Sequence, residues 1–197
     1  SSGRTDAFVH ANNQKAHVDI SVNITEEKLK RALNSLIPND IYVKNAKIVQ
    51  DDFHARFMVK RKEYVYILNM GEYNPIKRNY EYQYCKKLDV DKMKEAIKYM
   101  EGTHDFQNLS SNEIKEKSTI KTIYSAKIKK EKDKLIFTFC GNGFLRYMVR
   151  VMVGVLIEVG KGKIDVDDIP LIIDGTYNKN YKKVANPEGL YLNNVEY

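Results

Sequence analysis

The sequence predicts an α+β fold built on a mainly antiparallel central sheet with helices packed on it. Apolar and polar residues alternate at period two in several runs, and two of these, Ile120–Lys129 and Lys134–Phe139, flank Glu131-Lys132-Asp133 as the arms of a hairpin. The run Phe144–Val159 is apolar on nearly all sides, the pattern of a helix buried against a sheet. The order of elements, strand-helix-strand and then strands with a helix, completes the case.

The chain opens on a tight polar loop, Gly3-Arg4-Thr5-Asp6-Ala7-Phe8-Val9-His10-Ala11, that runs into an extended segment. Gln14–Val22 alternates through Ala16, Val18, Ile20 and Val22 and is predicted as a half-buried strand; His17 within it reads as a satisfied structural residue. Thr25, Glu26 and Glu27 mark a helix N-terminus, and Leu29, Ala32, Leu33, Leu36 and Ile37 recur at helical spacing until Pro38-Asn39-Asp40. Ile41–Val49 is predicted as a strand, with a turn at Asp51-Asp52, so one face of the helix is expected to cover a sheet.

Phe53–Leu68 reads as one long strand. Period two puts Tyr64 and Tyr66 on one face with Lys60 and Lys62. That face is either a nucleic-acid surface, with rings for bases and ammonium groups for phosphates, or a core-facing tyrosine pair with solvated lysines. Met70–Pro75 is a turn, and Tyr80, Tyr82 and Tyr84 alternate as packing residues. Asp89–Met100 has helical spacing and closes on Gly102. His104-Asp105-Phe106 begins a loop in which Asp105 fixes the backbone and Phe106 plugs the core. Ser110–Ser118 is polar and lacks periodicity, which predicts a mobile surface loop. After Gly141-Asn142-Gly143 comes the apolar helix, with Arg146 and Arg150 four apart near its start. A guanidinium there needs a partner or a path to solvent, because an unpaired interior charge is costly. A short helix, Val166–Ile173, and a closing strand, Gly189–Tyr197, finish the chain.

At 197 residues the chain suits one domain or two small ones sharing a sheet. A formal charge of +7 predicts a positive potential that attracts polyanions, although scattered lysines give the same figure without a patch. The two cysteines, Cys85 and Cys140, lie far apart without a metal-ligand pattern, which points to a reducing compartment and to no structural metal. No apolar run reaches membrane-spanning length and no signal-peptide pattern opens the chain, so it reads as cytoplasmic with no membrane partner.

The opening loop sets one carboxylate, Asp6, beside one guanidinium, Arg4, with Arg150 as a second candidate cation. A carboxylate near a cation is favoured in its charged form, and a partly desolvated one is a usable nucleophile or base. By itself an Arg-x-Asp loop is commonly turn chemistry. Its companions change the weight. The loop resembles the signature of the TruA family of tRNA pseudouridine synthases, whose usual form is Gly-Arg-Thr-Asp-Ala-Gly-Val-His-Ala. The resemblance continues at Asp52-Phe53-His54-Ala55-Arg56-Phe57, Lys62-Glu63-Tyr64-Val65-Tyr66 and Gly102-Thr103-His104-Asp105-Phe106. It ends with Gly143-Phe144-Leu145-Arg146-Tyr147-Met148-Val149-Arg150 and Glu188-Gly189-Leu190-Tyr191-Leu192.

The resemblance implies a pseudouridine synthase-like fold of two related α/β halves around a basic cleft, acting as a homodimer without cofactor or metal. Its implied partner is tRNA, where uridine in the anticodon stem-loop becomes pseudouridine. Asp6 then matches the catalytic aspartate, Tyr64 the tyrosine that stacks on the uracil, and Arg150 the arginine that pairs with the aspartate. Arg4, which helps to hold the extruded nucleotide, joins His54, Arg56, Lys62, Phe144 and Leu145 as RNA-binding residues. Residues 1–51 are expected to be the remnant of the first half carrying the catalytic loop, and 52–197 the second half. The first half reads as truncated, since only Ser1 and Ser2 precede a loop that follows a longer segment in the family. Phe8 departs from the pattern, standing where the family has Gly, a residue that tolerates positive φ or a close backbone. Two alternatives remain: a catalytically silent RNA-binding domain, or an inactive fragment of the enzyme. A hydrolase using Asp6 with His10 or His17 lacks a recognisable Ser or Cys nucleophile.

Overall fold

The alternating runs pair into one mixed sheet in the computed structural model, which describes residues 1–111 and 118–197. Its strands are β1 (His10–Ala11), β2 (Arg61–Asn69), β3 (Tyr82–Gln83), β4 (Gly102–Asp105), β5 (Ile120–Glu131), β6 (Lys134–Gly141) and β7 (Leu190–Glu196). They lie in the order β1-β7-β2-β6-β5-β4, with β3 also beside β2. The long pairings, β2 with β6 and β7 and β5 with β6, are antiparallel, while β1 on β7 and β3 on β2 are parallel. The hairpin turns where expected, with Lys132 taking the left-handed conformation at φ 54°.

Alternation decides the buried face: Leu135, Phe137 and Phe139 of β6 point into the core, and Tyr66 and Leu68 of β2 join them. The helices α2 (Val90–Ala96), α3 (Met148–Gly160) and α4 (Ile169–Asp174) contribute Met93, Met152, Leu156, Ile169 and Ile172 to the same cluster. In α3 every residue but Arg150 is buried. Each fully buried aliphatic side chain contributes about 1.5–3 kcal/mol, so α3 and its sheet face dominate the stability. Asp89 caps α2 by accepting from the Lys92 N–H at 3.1 Å. A 3-10 turn, Ile97–Met100, continues it, and Gly102 follows at φ 106°.

The first fifty residues depart from expectation. Helix α1 (Glu26–Leu36) forms with Thr25 as its N-cap, yet none of its residues is buried and Leu36 is 84% exposed. Neither Gln14–Val22 nor Ile41–Val49 is a strand; Val18, Val22, Ile41 and Ile48 are exposed. Alternation supplies a strand with a face, but a strand also needs a neighbour for its backbone groups. Side chains serve instead: the Asn34 carboxamide donates to and accepts from the Val43 backbone, and Glu26 accepts from the Ile48 N–H.

Three further elements are shifted. The long strand begins at Arg61 rather than Phe53, because Ala55–Met58 turns, closed by the Met58 N–H on the His54 carbonyl at 3.1 Å. His104 and Asp105 lie in β4 rather than in a loop, although Phe106 is buried and Asp105 accepts from the Gln107 N–H as read. The apolar helix starts at Met148 rather than Phe144, since Tyr147 sits in the left-handed region at φ 63°; Arg146 therefore precedes the helix. Of the loop Ser110–Ser118, residues 112–117 lie outside the described residues, and Ser110 itself is buried with its hydroxyl donating to Gln107.

Candidate active site

The opening loop is tied down on both sides of Asp6. Before it, the Ser2 N–H donates to Lys15 at 2.8 Å and the Lys62 ammonium donates to the Ser2 carbonyl at 2.8 Å. After it, the Val9 N–H donates to the Asp6 carbonyl at 3.1 Å, closing a turn, and His10–Ala11 pairs with β7. Phe8 occupies the third position of that turn at φ 65°, where Gly would sit without strain, and its side chain is 79% exposed. The loop path thus keeps a conformation suited to Gly while carrying a Phe, at a cost on the order of 1–2 kcal/mol. His10 is not a free base: its Nε2 meets the Asn79 carbonyl at 2.8 Å, and its ring stacks on Tyr80 and Tyr191.

Arg150 reaches this loop from the first turn of α3. Its Nη1 donates to Asp6 Oδ2 at 2.9 Å and its Nε to the Ala185 carbonyl at 2.8 Å. The two side chains of the ion pair are 13% and 28% exposed, so the pair is partly desolvated, and two of the arginine's N–H donors have named acceptors. Ala185 returns a bond, its N–H donating to the Arg150 carbonyl at 3.0 Å. The chain can pass this close to α3 because position 154 is Gly: a Cβ there would lie 2.0 Å from the Lys183 carbonyl oxygen. Beyond it, the Asn186 carbonyl accepts from the Tyr66 hydroxyl at 2.8 Å, seating the segment on β2 as well.

Tyr64 stands on β2 at an irregularity in its pairing with β7, between Glu63 and Tyr64, and its ring meets Phe144 edge-on at 5.0 Å. Burial, and then the negative charge of Asp6, push its hydroxyl up to about 12. At neutral pH the phenol is therefore a protonated hydrogen-bond donor with an aromatic face, not a base. Tyr66, two residues on, is fully buried in the core, and Tyr64 is partly buried and packs against it.

The structure brings together Asp6, Arg150, Tyr64 and Phe144. Lys62 stands at the root of the loop. Arg4 is exposed on the loop, and Leu145 is buried in the core rather than offered to solvent. His54 and Arg56 belong to a second cluster. The His54 Nδ1 accepts from the Arg56 and Phe57 N–H groups at 3.2 Å, and its ring stacks on Phe57 at 4.2 Å. The Arg56 guanidinium lies 5.9 Å from the Phe57 ring, and His17 accepts from the Ala55 N–H at 3.1 Å. Sequence reasoning missed Tyr147 and Ala185. The first carries no letter-level sign of its left-handed backbone, and the second acts through a carbonyl that every residue has. Among the described residues no group of three or more His, Cys, Asp or Glu is placed to hold a metal ion, and no helix is long and apolar enough to cross a membrane.

A family model described as tRNA pseudouridine synthase matches residues 96–197, which include Arg150 but not Asp6 or Tyr64. Relatives align over both parts. The tRNA pseudouridine synthase A of Limosilactobacillus reuteri is 42% identical, over 100% of this chain and 78% of its own length. That of Anoxybacillus flavithermus is 43% identical over 100% and 80%. The tRNA pseudouridine synthase A 1 of Bacillus cereus is 42% identical over 100% and 80%.

Proposed function

This chain belongs to the tRNA pseudouridine synthase family, and from that premise we propose that it isomerises uridine in the anticodon stem-loop of tRNA, with Asp6 as the reacting group. The observation that carries the assignment of Asp6 is its ion pair with Arg150, made across 143 intervening residues, with the charge of Asp6 felt at the Tyr64 hydroxyl. An RNA-binding surface alone has no use for a carboxylate held in this way, since a negative group repels phosphate. The reaction breaks the N1–C1′ bond, turns the uracil within the site and joins C5 to C1′. The proton lost from C5 is balanced by one gained at N1, so no external reactant is consumed. Asp6 acts on the sugar or the base, Arg150 orients its carboxylate, and Tyr64 gives the base a platform and a donor.

The remaining residues take roles that follow from their places. Arg4 and Arg56, both exposed, meet phosphate or an extruded nucleotide. Lys62 binds RNA indirectly, by holding the loop through Ser2. Phe144 buttresses Tyr64, Leu145 seats Phe144, and His54 fixes the turn that carries Arg56. Residues 1–51 supply the loop and the edge strand β1, and 52–197 the rest of the sheet and the arginine. The working unit is a homodimer that draws on no cofactor. The test is Asp6→Asn, which keeps size and hydrogen bonding but removes the charge. Pseudouridine formation on a tRNA transcript, followed by mass spectrometry, is expected to vanish while tRNA affinity stays within about threefold. Turnover at the wild-type rate by the variant would sink the assignment.

A further inference from the structure

Tyr147, partly buried against the core, is the most conspicuous residue near the site to which the reaction as read above gives no role. It holds the N-cap position of α3 with φ 63° and ψ −2°, and its side chain makes no capping hydrogen bond. A bulky aromatic residue in the left-handed region is strained, a strain that Gly would avoid and that Asn would reduce. Such strain persists where the side chain is needed in one direction. The ring is where the strain has a use: the Arg150 guanidinium carbon lies 5.1 Å from its centroid, and that of Arg146 lies 4.8 Å away. The Tyr147 hydroxyl in turn accepts from Arg146 Nη2 at 3.2 Å.

Arg150 is thus constrained in three directions. Asp6 takes Nη1, the Ala185 carbonyl takes Nε, and the Tyr147 ring limits movement of the guanidinium carbon. The two hydrogen bonds leave the long side chain able to hinge about the line joining their acceptors, and an aromatic face beside the guanidinium removes that freedom through a cation–π contact. From this geometry we propose that Tyr147 is a positioning residue, whose ring fixes the guanidinium of Arg150 so that Arg150 presents the Asp6 carboxylate in one orientation. The strained backbone aims the ring there. Had the helix begun at Phe144, as its apolar letters suggest, residue 147 would lie within the helix and its side chain would leave in a different direction.

The inference rests on the reading of Asp6 and Arg150 above, and its test keeps the two apart. Tyr147→Phe keeps the ring and loses only the bond from Arg146; Tyr147→Leu removes the ring. Steady-state kinetics on a tRNA transcript are expected to leave Tyr147→Phe within about threefold of wild type. Tyr147→Leu is expected to lose roughly tenfold or more in kcat with KM within about twofold, because orientation in the reacting complex, not RNA binding, is impaired. In an Arg150→Gln background, where the ring has no cation to hold, the same Leu substitution is expected to cost no further activity. If Tyr147→Leu fails to fold, Tyr147→Asn, which tolerates the left-handed backbone, replaces it with the same expectation. Wild-type kcat for the ringless variant would overturn the positioning role, as would equal damage from Phe and Leu, or undiminished damage in the Arg150→Gln background. An active Asp6→Asn enzyme would overturn the reading beneath it.

Discussion

At the scale of single residues the site is defined by what each group can no longer do. Tyr64 cannot serve as a base near neutral pH, since burial first and the charge of Asp6 second hold its hydroxyl at about 12. Its ordinary value is 10.0, so the folded state favours the neutral phenol more than the unfolded chain does. The stabilisation this represents is on the order of 3 kcal/mol. It is present in full below pH 10.0 and lost as the pH rises through about 12. Difference absorbance of phenolate between wild type and Tyr64→Phe should therefore be flat through pH 10 and develop only near 12. In an Asp6→Asn background the development should move down, because the carboxylate's contribution is gone. A difference already half developed at pH 10 would place the Tyr64 ring in water, away from Asp6.

At the scale of elements, α3 and the segment that crosses it form one unit. Placing a methyl group at position 154 sets it 2.0 Å from the Lys183 carbonyl oxygen, which is backbone and cannot rotate aside. Gly154→Ala is expected to lower stability by about 2–3 kcal/mol and to lift Ala185 away from Arg150. Urea unfolding would register this as a lower midpoint, and an unchanged midpoint would show that the segment is not seated on the helix. Elements whose burial is decided locally were legible in the letters: the β5–β6 hairpin, α2, β7 and the body of α3 each carry their own period and their own turn residues. Elements whose existence depends on a distant neighbour were not. Gln14–Val22 and Ile41–Val49 alternate as strands do, but find no edge to pair with, and their apolar side chains remain outside. The parallel pairing of β1 with β7 joins chain ends that no local pattern connects. The site divides along the same line. Asp6, Tyr64 and Arg150 stand out because their chemistry is in their side chains and their surroundings in recognisable runs. The left-handed turn at Tyr147 and the carbonyl of Ala185 are backbone facts.

At the scale of the whole molecule, charge and shape bear on the substrate. The formal charge is +7, and much of it is carried by lysines spread along the chain rather than by one run, so attraction to tRNA is a property of the surface and not of a single motif. The Asp6–Arg150 pair is internally neutralised and adds little to that attraction. Binding through phosphates releases counterions, and affinity should fall linearly on a log–log plot of association constant against salt, by roughly 0.7–0.9 per phosphate neutralised. Four such contacts would cost roughly 50–150-fold in affinity over a fourfold rise in salt. Filter binding of a tRNA transcript across that range is expected to give this slope for wild type and the same slope for Asp6→Asn. Arg56→Gln should reduce it by about one contact. A flat dependence would mean that tRNA is held by base and sugar contacts rather than by the lysine-rich surface. A slope changed by Asp6→Asn would mean that the carboxylate and its arginine contribute to the phosphate track instead of standing apart from it.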